Sequence, residues 1–114
     1  MTKDEFEQVV QDAIDSLPEE FLEHLENVEI TIDDERPAKR GKTLLLGLYQ
    51  GVPLDKRDNY YAGVLPDKIT LFQKNIEALT SDRDKMVEEI KKTLLHEIGH
   101  YFGMSESKLR KLGY

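Results

Sequence analysis

Two histidines four residues apart, His96 and His100, constrain the fold of this chain more than any other feature. On an α-helix, residues four apart share one face and lie about 6 Å apart along the axis. Two neutral imidazoles so placed can converge on one metal ion, and zinc accepts such nitrogen donors. Glu97 sits at the edge of that face, close enough to handle a metal-bound water without being a ligand. A metal-dependent hydrolase needs this arrangement.

The residues around the motif indicate that it lies on a long helix. Ser81, followed by Asp82 and Asp84, predicts the start of the helix. Gly103 predicts its end, because a left-handed glycine commonly terminates a helix. The motif therefore lies on a helix of about twenty residues that ends where the motif ends. Apolar residues recur before the motif at i, i+1, i+4 and i+8, which is an amphipathic helical stripe: Met86, Val87, Ile90 and Leu94.

A zinc hydrolase normally has a third protein ligand and one position open for water. Glu106 is the one acidic residue after the motif, and a turn at Gly103 would send the chain back towards the metal. We therefore favour Glu106 as the third ligand. Two alternatives stay open. His24, far upstream, is a rival ligand, and Glu106 could be an ordinary acid in the first turn of a last helix, Glu106–Lys111, capped by Ser105.

Residues 96–106, H-E-I-G-H-Y-F-G-M-S-E, resemble the extended zincin motif H-E-x-x-H-x-x-G-x-x-(H/D/E). More narrowly, the chain is similar to the small bacterial zincin-like metallopeptidases, sometimes called minimal zincins. Residues 45–51, 53–54 and 65–71 resemble the middle of that family. The resemblance thus covers most of the chain.

This resemblance implies a compact α+β domain with one zinc ion on the motif helix. It implies that His96, His100 and Glu106 are the metal ligands. One feature departs from the larger metzincins: Met104 follows Gly103 directly, and no later methionine is present to form a Met-turn beneath the metal. The family leaves the substrate open, since it is largely defined by its motif.

The composition predicts one domain spanning residues 1–114, with a modest core. No apolar run approaches the ~20 residues of a membrane span, and the charged amino terminus lacks the apolar stretch of a signal peptide. The chain has no cysteine, which fits a reduced, cytoplasmic setting. Its net charge of −7 argues against nucleic acids and anionic membranes as partners. We expect a monomer.

The remaining patterns predict an α+β fold. Thr2 and Glu5 form a capping box before an amphipathic helix that Pro18 ends. Alternating apolar residues predict a half-buried strand over residues 28–33, and residues 68–72 predict another. Residues 43–49 predict an apolar strand buried on both faces, in which Gly47 allows another group to approach closely. The motif helix then packs on a small twisted sheet of three or four strands.

Two segments have no regular pattern. Residues 36–42 are basic and contain Pro and Gly, which favours a solvated loop over a nucleic-acid site. Residues 51–63 form a longer irregular loop of the kind that often has a functional role. Tyr60 or Tyr61 in this loop could donate to an oxyanion, although such a tyrosine is more often a half-buried aromatic.

These features predict a zinc-dependent metallopeptidase that acts on peptide or protein substrates. Glu97 would take the proton of a zinc-activated water and hand it to the leaving amine. An extended peptide could lie along an exposed edge of the sheet. The alternative is a metal- or peptide-binding module, derived from a zincin, that is catalytically weak or inactive. Glu97 favours the enzyme, because a merely structural zinc site has no need of it.

Overall fold

The computed structural model describes residues 1–34, 44–54 and 67–114, and it confirms an α+β fold. The basic residues 36–42 and the two tyrosines at 60 and 61 lie outside the described residues. In chain order the elements are α1 Lys3–Asp15, α2 Glu19–His24, β1 Val28–Asp33, β2 Gly47–Gln50, β3 Asp67–Phe72, α3 Gln73–Glu77, α4 Arg83–Tyr101 and α5 Glu106–Lys111. None of the helices in these described segments combines the length and the apolar character that spanning a membrane requires.

Helix α1 begins with the predicted capping box. The Thr2 hydroxyl accepts from the Glu5 amide, and the Glu5 carboxylate accepts from the Thr2 amide. The helix ends at Asp15, before Pro18, and it buries Phe6, Val10 and Ala13. An exposed ion pair of 2.6 Å joins Glu5 to Arg83 at the start of α4, and it holds the pKa of the Glu5 carboxyl at about 2. Exposed pairs of this kind contribute little to stability, so the buried face attaches α1 to the core.

The described sheet has three strands in the order β1–β3–β2. The central strand β3 pairs in parallel with β1 and antiparallel with β2. Ile69 and Leu71 of β3 are fully buried, as expected for a strand with neighbours on both sides. Strand β2 covers residues 47–50, so residues 44–46 of the predicted strand lie outside it, and residue 43 lies outside the described residues. Its predicted burial on both faces is wrong, because β2 is an edge strand of the described sheet and only Gly47 is buried.

Helix α4 carries the histidine motif and has 19 residues, close to the predicted length. Its cap is Asp82 rather than the predicted Ser81: the Asp82 carboxylate accepts from the amides of residues 84 and 85. The helix ends before Gly103, whose φ of 93° is the left-handed conformation that the sequence predicts. Helix α5 follows with Ser105 as its cap and with the bounds of the alternative considered for Glu106, so Glu106 does lie in the first turn of a last helix. Helix α4 contributes Met86, Ile90, Leu94, Ile98 and Tyr101 to the core.

Candidate metal centre

The turn after α4 brings Glu106 back to the two histidines of the motif. Glu106 Oε1 lies 2.7 Å from His100 Nε2 and 3.0 Å from His96 Nε2. The two Nε2 atoms are 3.2 Å apart. The Met104 amide, which donates to the Gly99 carbonyl at 2.9 Å, closes the turn that makes this return possible. Three potential ligand atoms therefore converge on one point, and they come from the three residues that the sequence nominates.

His100 is oriented by the backbone of the same turn. Its Nδ1 lies 3.1 Å from the Met104 carbonyl oxygen. A carbonyl oxygen only accepts, so Nδ1 carries the proton and donates it. With a metal in place of the Glu106 hydrogen bond, the neutral ring would then direct the lone pair of Nε2 at the cluster. Histidines that bind metals usually have such a partner on the other ring nitrogen, which fixes the tautomer and the ring orientation.

Glu97 lies beside the cluster but in a different environment. Its side chain is buried, with the residue 7% exposed, and a carboxylate oxygen lies within 4.8 Å of the imidazole nitrogens of His96 and His100. Within the described residues, Glu97 Oε2 has no hydrogen-bond partner although it is buried. Burial raises the pKa of Glu97, and the two neighbouring histidines oppose this effect. A buried carboxylate oxygen without a partner is costly, and it marks a place where a bound group belongs.

The second carboxylate, Glu106, has the opposite character. It is exposed, and its hydrogen bond with His96, followed by the one with His100, lowers its pKa. The histidines thus favour ionisation of Glu106, whereas burial opposes ionisation of Glu97.

Gly47 explains why Glu97 is buried. A Cβ atom at Gly47 would lie 2.9 Å from Thr93 Cγ2 and 3.2 Å from Glu97 Cγ. A larger residue would push β2 away from α4, so the glycine lets the edge strand pack directly against the motif helix. The close approach that the sequence predicts at this position is confirmed, and the approaching group is the helix that carries the histidines.

Gly99 has a similar role on the other side of α4. A Cβ atom here would overlap Leu109 Cδ2 of α5. Leu109 is almost fully buried and is the buried residue of its short helix. The glycine within the motif therefore creates the space in which α5 docks. Because α5 begins with Glu106, this docking also sets the position of the Glu106 carboxylate.

We expect the substitution Gly99→Ala to lower the free energy of unfolding by about 1–3 kcal/mol, the usual cost of overpacking a core. Helix propensity alone predicts the opposite, since alanine is favoured over glycine by roughly 1 kcal/mol inside a helix. Chemical denaturation of the two proteins measures the difference. Glu88→Ala, at an exposed position of the same helix, is the matched control and should change the free energy by no more than about 0.5 kcal/mol. A Gly99→Ala protein as stable as the unmodified chain would contradict the packing argument.

The donor atoms fit zinc. Tetrahedral zinc with bonds of about 2.0–2.2 Å places its ligand atoms roughly 3.3–3.6 Å apart. The three converging atoms, 2.7, 3.0 and 3.2 Å apart, would have to separate by only part of an ångström to hold it. Two imidazole nitrogens and one carboxylate oxygen leave a fourth position for water, and they are a poor set for Mg²⁺ or Ca²⁺, which prefer oxygen.

The rival His24 is exposed, and its ring packs edge-on against Phe102 with centroids 6.0 Å apart. The assignment of His96, His100 and Glu106 as the metal ligands is a prediction, and the distances between their donor atoms support it.

Two cavities meet at the cluster, one of about 300 Å³ and one of about 570 Å³. Both are lined by Gly47, Glu97 and Glu106, so the cluster lies between them.

The contributions of Met104 and Leu109 to the site were not predicted. A backbone carbonyl carries no signal in the sequence, but a glycine inside the motif helix was a visible sign that another element packs there.

The comparisons with known proteins agree with this geometry. Residues 25–114 match the sequence model of the family described as zincin-like metallopeptidase. This range includes all three strands, the motif helix and α5. A search of curated proteins found no match.

Proposed function

Because the chain belongs to the zincin-like metallopeptidase family, we propose that it is a zinc-dependent peptidase. His96, His100 and Glu106 hold the metal, and Glu97 is the general base. Bound zinc lowers the pKa of a water ligand and polarises a carbonyl. The substrate is a peptide or an unfolded segment of a protein.

The partnerless oxygen of Glu97 is the observation that carries the proposal. A structural zinc site needs ligands and packing, and it gains nothing from an additional buried carboxylate. Here α4 and β2 bury Glu97 beside the imidazoles without supplying a hydrogen-bond partner for Oε2 among the described residues. An attacking water at this position would supply that partner and would find a base within reach.

Each residue of the site then has a distinct task. Glu97 accepts a proton from the attacking water and later delivers it to the leaving nitrogen. Glu106 neutralises part of the metal charge with an ionised carboxylate. The Met104 carbonyl holds the His100 ring in the tautomer whose Nε2 can bind. The burial of Glu97 raises its pKa, which makes it a better proton acceptor than an exposed acid once it is ionised.

The edge strand β2 offers a route for the peptide. One edge of β2 pairs with β3, and its other edge has no neighbouring strand in the described sheet. An extended peptide can add to such an edge through backbone hydrogen bonds. Since the two cavities flank the cluster, residues on both sides of a scissile bond have space.

The proposal is tested by removing and restoring the metal. Protein loaded with one equivalent of zinc should cleave members of an unstructured peptide library, as measured by mass spectrometry. A chelator should abolish cleavage, and stoichiometric zinc should restore it. Cleavage that resists the chelator would contradict the proposal. Zinc-loaded protein that cleaves nothing across a broad library would instead favour the metal- or peptide-binding module.

A further inference from the structure

The smaller of the two cavities offers mainly apolar surface, whereas the cluster beside it is polar. It occupies about 300 Å³ between the start of β2 and the middle of α4. Six of its wall residues do not line the larger cavity. Three of these six are Glu89, Lys92 and His96, and the other three offer mainly apolar surface: Leu46, Thr93 and Tyr114. Leu45 borders both cavities. The inner end of the smaller cavity reaches His96 and Glu97.

Two large apolar side chains at this cavity are exposed. Leu45 is 37% exposed and Tyr114 is 41% exposed. Single exposed apolar residues are common, but these two line the same concave space beside a candidate catalytic centre. An apolar group that entered the cavity would cover both of them and would gain roughly 25 cal/mol for each Å² of apolar surface removed from water.

The charged residues at the cavity do not favour a charged occupant. Glu89 and Lys92 lie three residues apart on α4, and their charges are opposite. With the proposed zinc bound, the charges of Glu97 and Glu106 at the inner end are largely offset, so an acidic side chain would give up its hydration for little net attraction. A basic side chain would have to give up its hydration beside apolar walls. An uncharged side chain meets neither penalty.

We infer that this cavity is the specificity pocket for a large apolar or aromatic side chain adjacent to the scissile bond, and that Tyr114 is a specificity-determining residue. This inference rests on the proposed peptidase function and names its substrate class. The larger cavity, of about 570 Å³ and lined partly by Gly51, Pro53 and Ser105, has room for side chains of different sizes, so we expect it to discriminate less.

Four peptides with a single cleavable bond test the substrate preference. They carry Phe or Ala directly before or directly after that bond. On one side of the bond, kcat/KM should favour Phe over Ala by at least roughly 10–200-fold, the discrimination that an apolar pocket achieves for a single methylene group. Tyr114→Ala should reduce this ratio several-fold, while Tyr114→Phe should keep it. Leu79→Ala, another exposed apolar residue that lines neither cavity, is the matched control and should leave the ratio unchanged.

A binding measurement separates the failure of this inference from the failure of the proposed function. N-acetylphenylalanine amide, added to the purified protein, should shift the NMR signals of Leu46, Thr93 and Tyr114 more than those of Leu48 and Met104 in the larger cavity. N-acetylalanine amide should have little effect. Cleavage without a preference for Phe, or shifts confined to the larger cavity, would overturn the inference and leave the peptidase standing. Selective shifts in a protein that cleaves nothing would support the pocket and reject the peptidase.

Discussion

Glu97→Gln should lower kcat/KM for peptide hydrolysis by at least ~10²–10⁴-fold, the usual contribution of general acid–base catalysis. Glutamine keeps the size of the side chain and its hydrogen-bonding capacity, but it cannot take the proton of the attacking water. Zinc content should stay at one equivalent, because Glu97 is not a proposed ligand. The loss should therefore appear in turnover and not in metal analysis.

Glu88→Gln is the matched control for this experiment, since Glu88 is an exposed acid on the same helix and lines neither cavity. It should retain full activity. Equal cleavage by the unmodified protein and by Glu97→Gln would reveal a contaminating peptidase or a different base. Loss of zinc from Glu97→Gln would show that Glu97 acts as a ligand, and the division of roles between the two carboxylates would then be wrong.

His96→Ala or His100→Ala should abolish stoichiometric zinc binding. Each substitution removes one of the three ligand atoms that lie within 3.2 Å of one another. Two remaining protein ligands are too few for a zinc site of ordinary affinity. Metal analysis of protein purified without added chelator, followed by competition with a chromogenic chelator, measures the effect. His24→Ala replaces the chain's third histidine and should keep full occupancy. Full zinc occupancy in the double variant His96→Ala/His100→Ala would exclude the proposed site.

Glu106→Ala extends the same series. We expect zinc affinity to fall by more than the ~10–100-fold that loss of an outer-sphere partner typically causes. Glu106→Gln, which keeps a neutral oxygen donor, should fall between Glu106→Ala and the unmodified protein. Unchanged zinc affinity in both variants would show that Glu106 is not the third protein ligand. Each variant combined with His24→Ala would then test whether the upstream histidine is that ligand.

The features that the sequence predicted best are local. The capping box at Thr2, the glycine stop at Gly103 and the cap at Ser105 each depend on a few neighbouring residues, and all three are confirmed. The convergence of His96, His100 and Glu106 is local as well, because one helix and one turn connect them. The choice of Asp82 over Ser81 as the helix cap was not predictable in this way, since both residue types favour that position.

The features that the sequence did not predict depend on contacts between distant segments. The apolar run before Tyr49 resembles a strand buried on both faces, yet the order β1–β3–β2 puts it at an edge of the described sheet. The apolar character of a segment indicates that it lies near the core, but it does not indicate how many strands flank that segment. Likewise, the sequence indicates close approach at Gly47, whereas the groups that approach it, Thr93 and Glu97 of the motif helix, follow from the tertiary fold.

The short separation along the chain between the proposed metal ligands has a consequence for the order in which the site loses its structure. His96, His100 and Glu106 lie within a segment of eleven residues, and closing a loop of about ten residues takes on the order of 10–100 ns. The burial of Glu97 requires Gly47 of β2, far upstream, and that strand needs the pairing of β3 with its own distant neighbours. Non-local pairing of this kind forms slowly. The proposed ligands thus depend on local structure, whereas the shielding of the proposed base depends on the sheet, so we expect a change that disrupts β2 to expose Glu97 before it separates the three donor atoms.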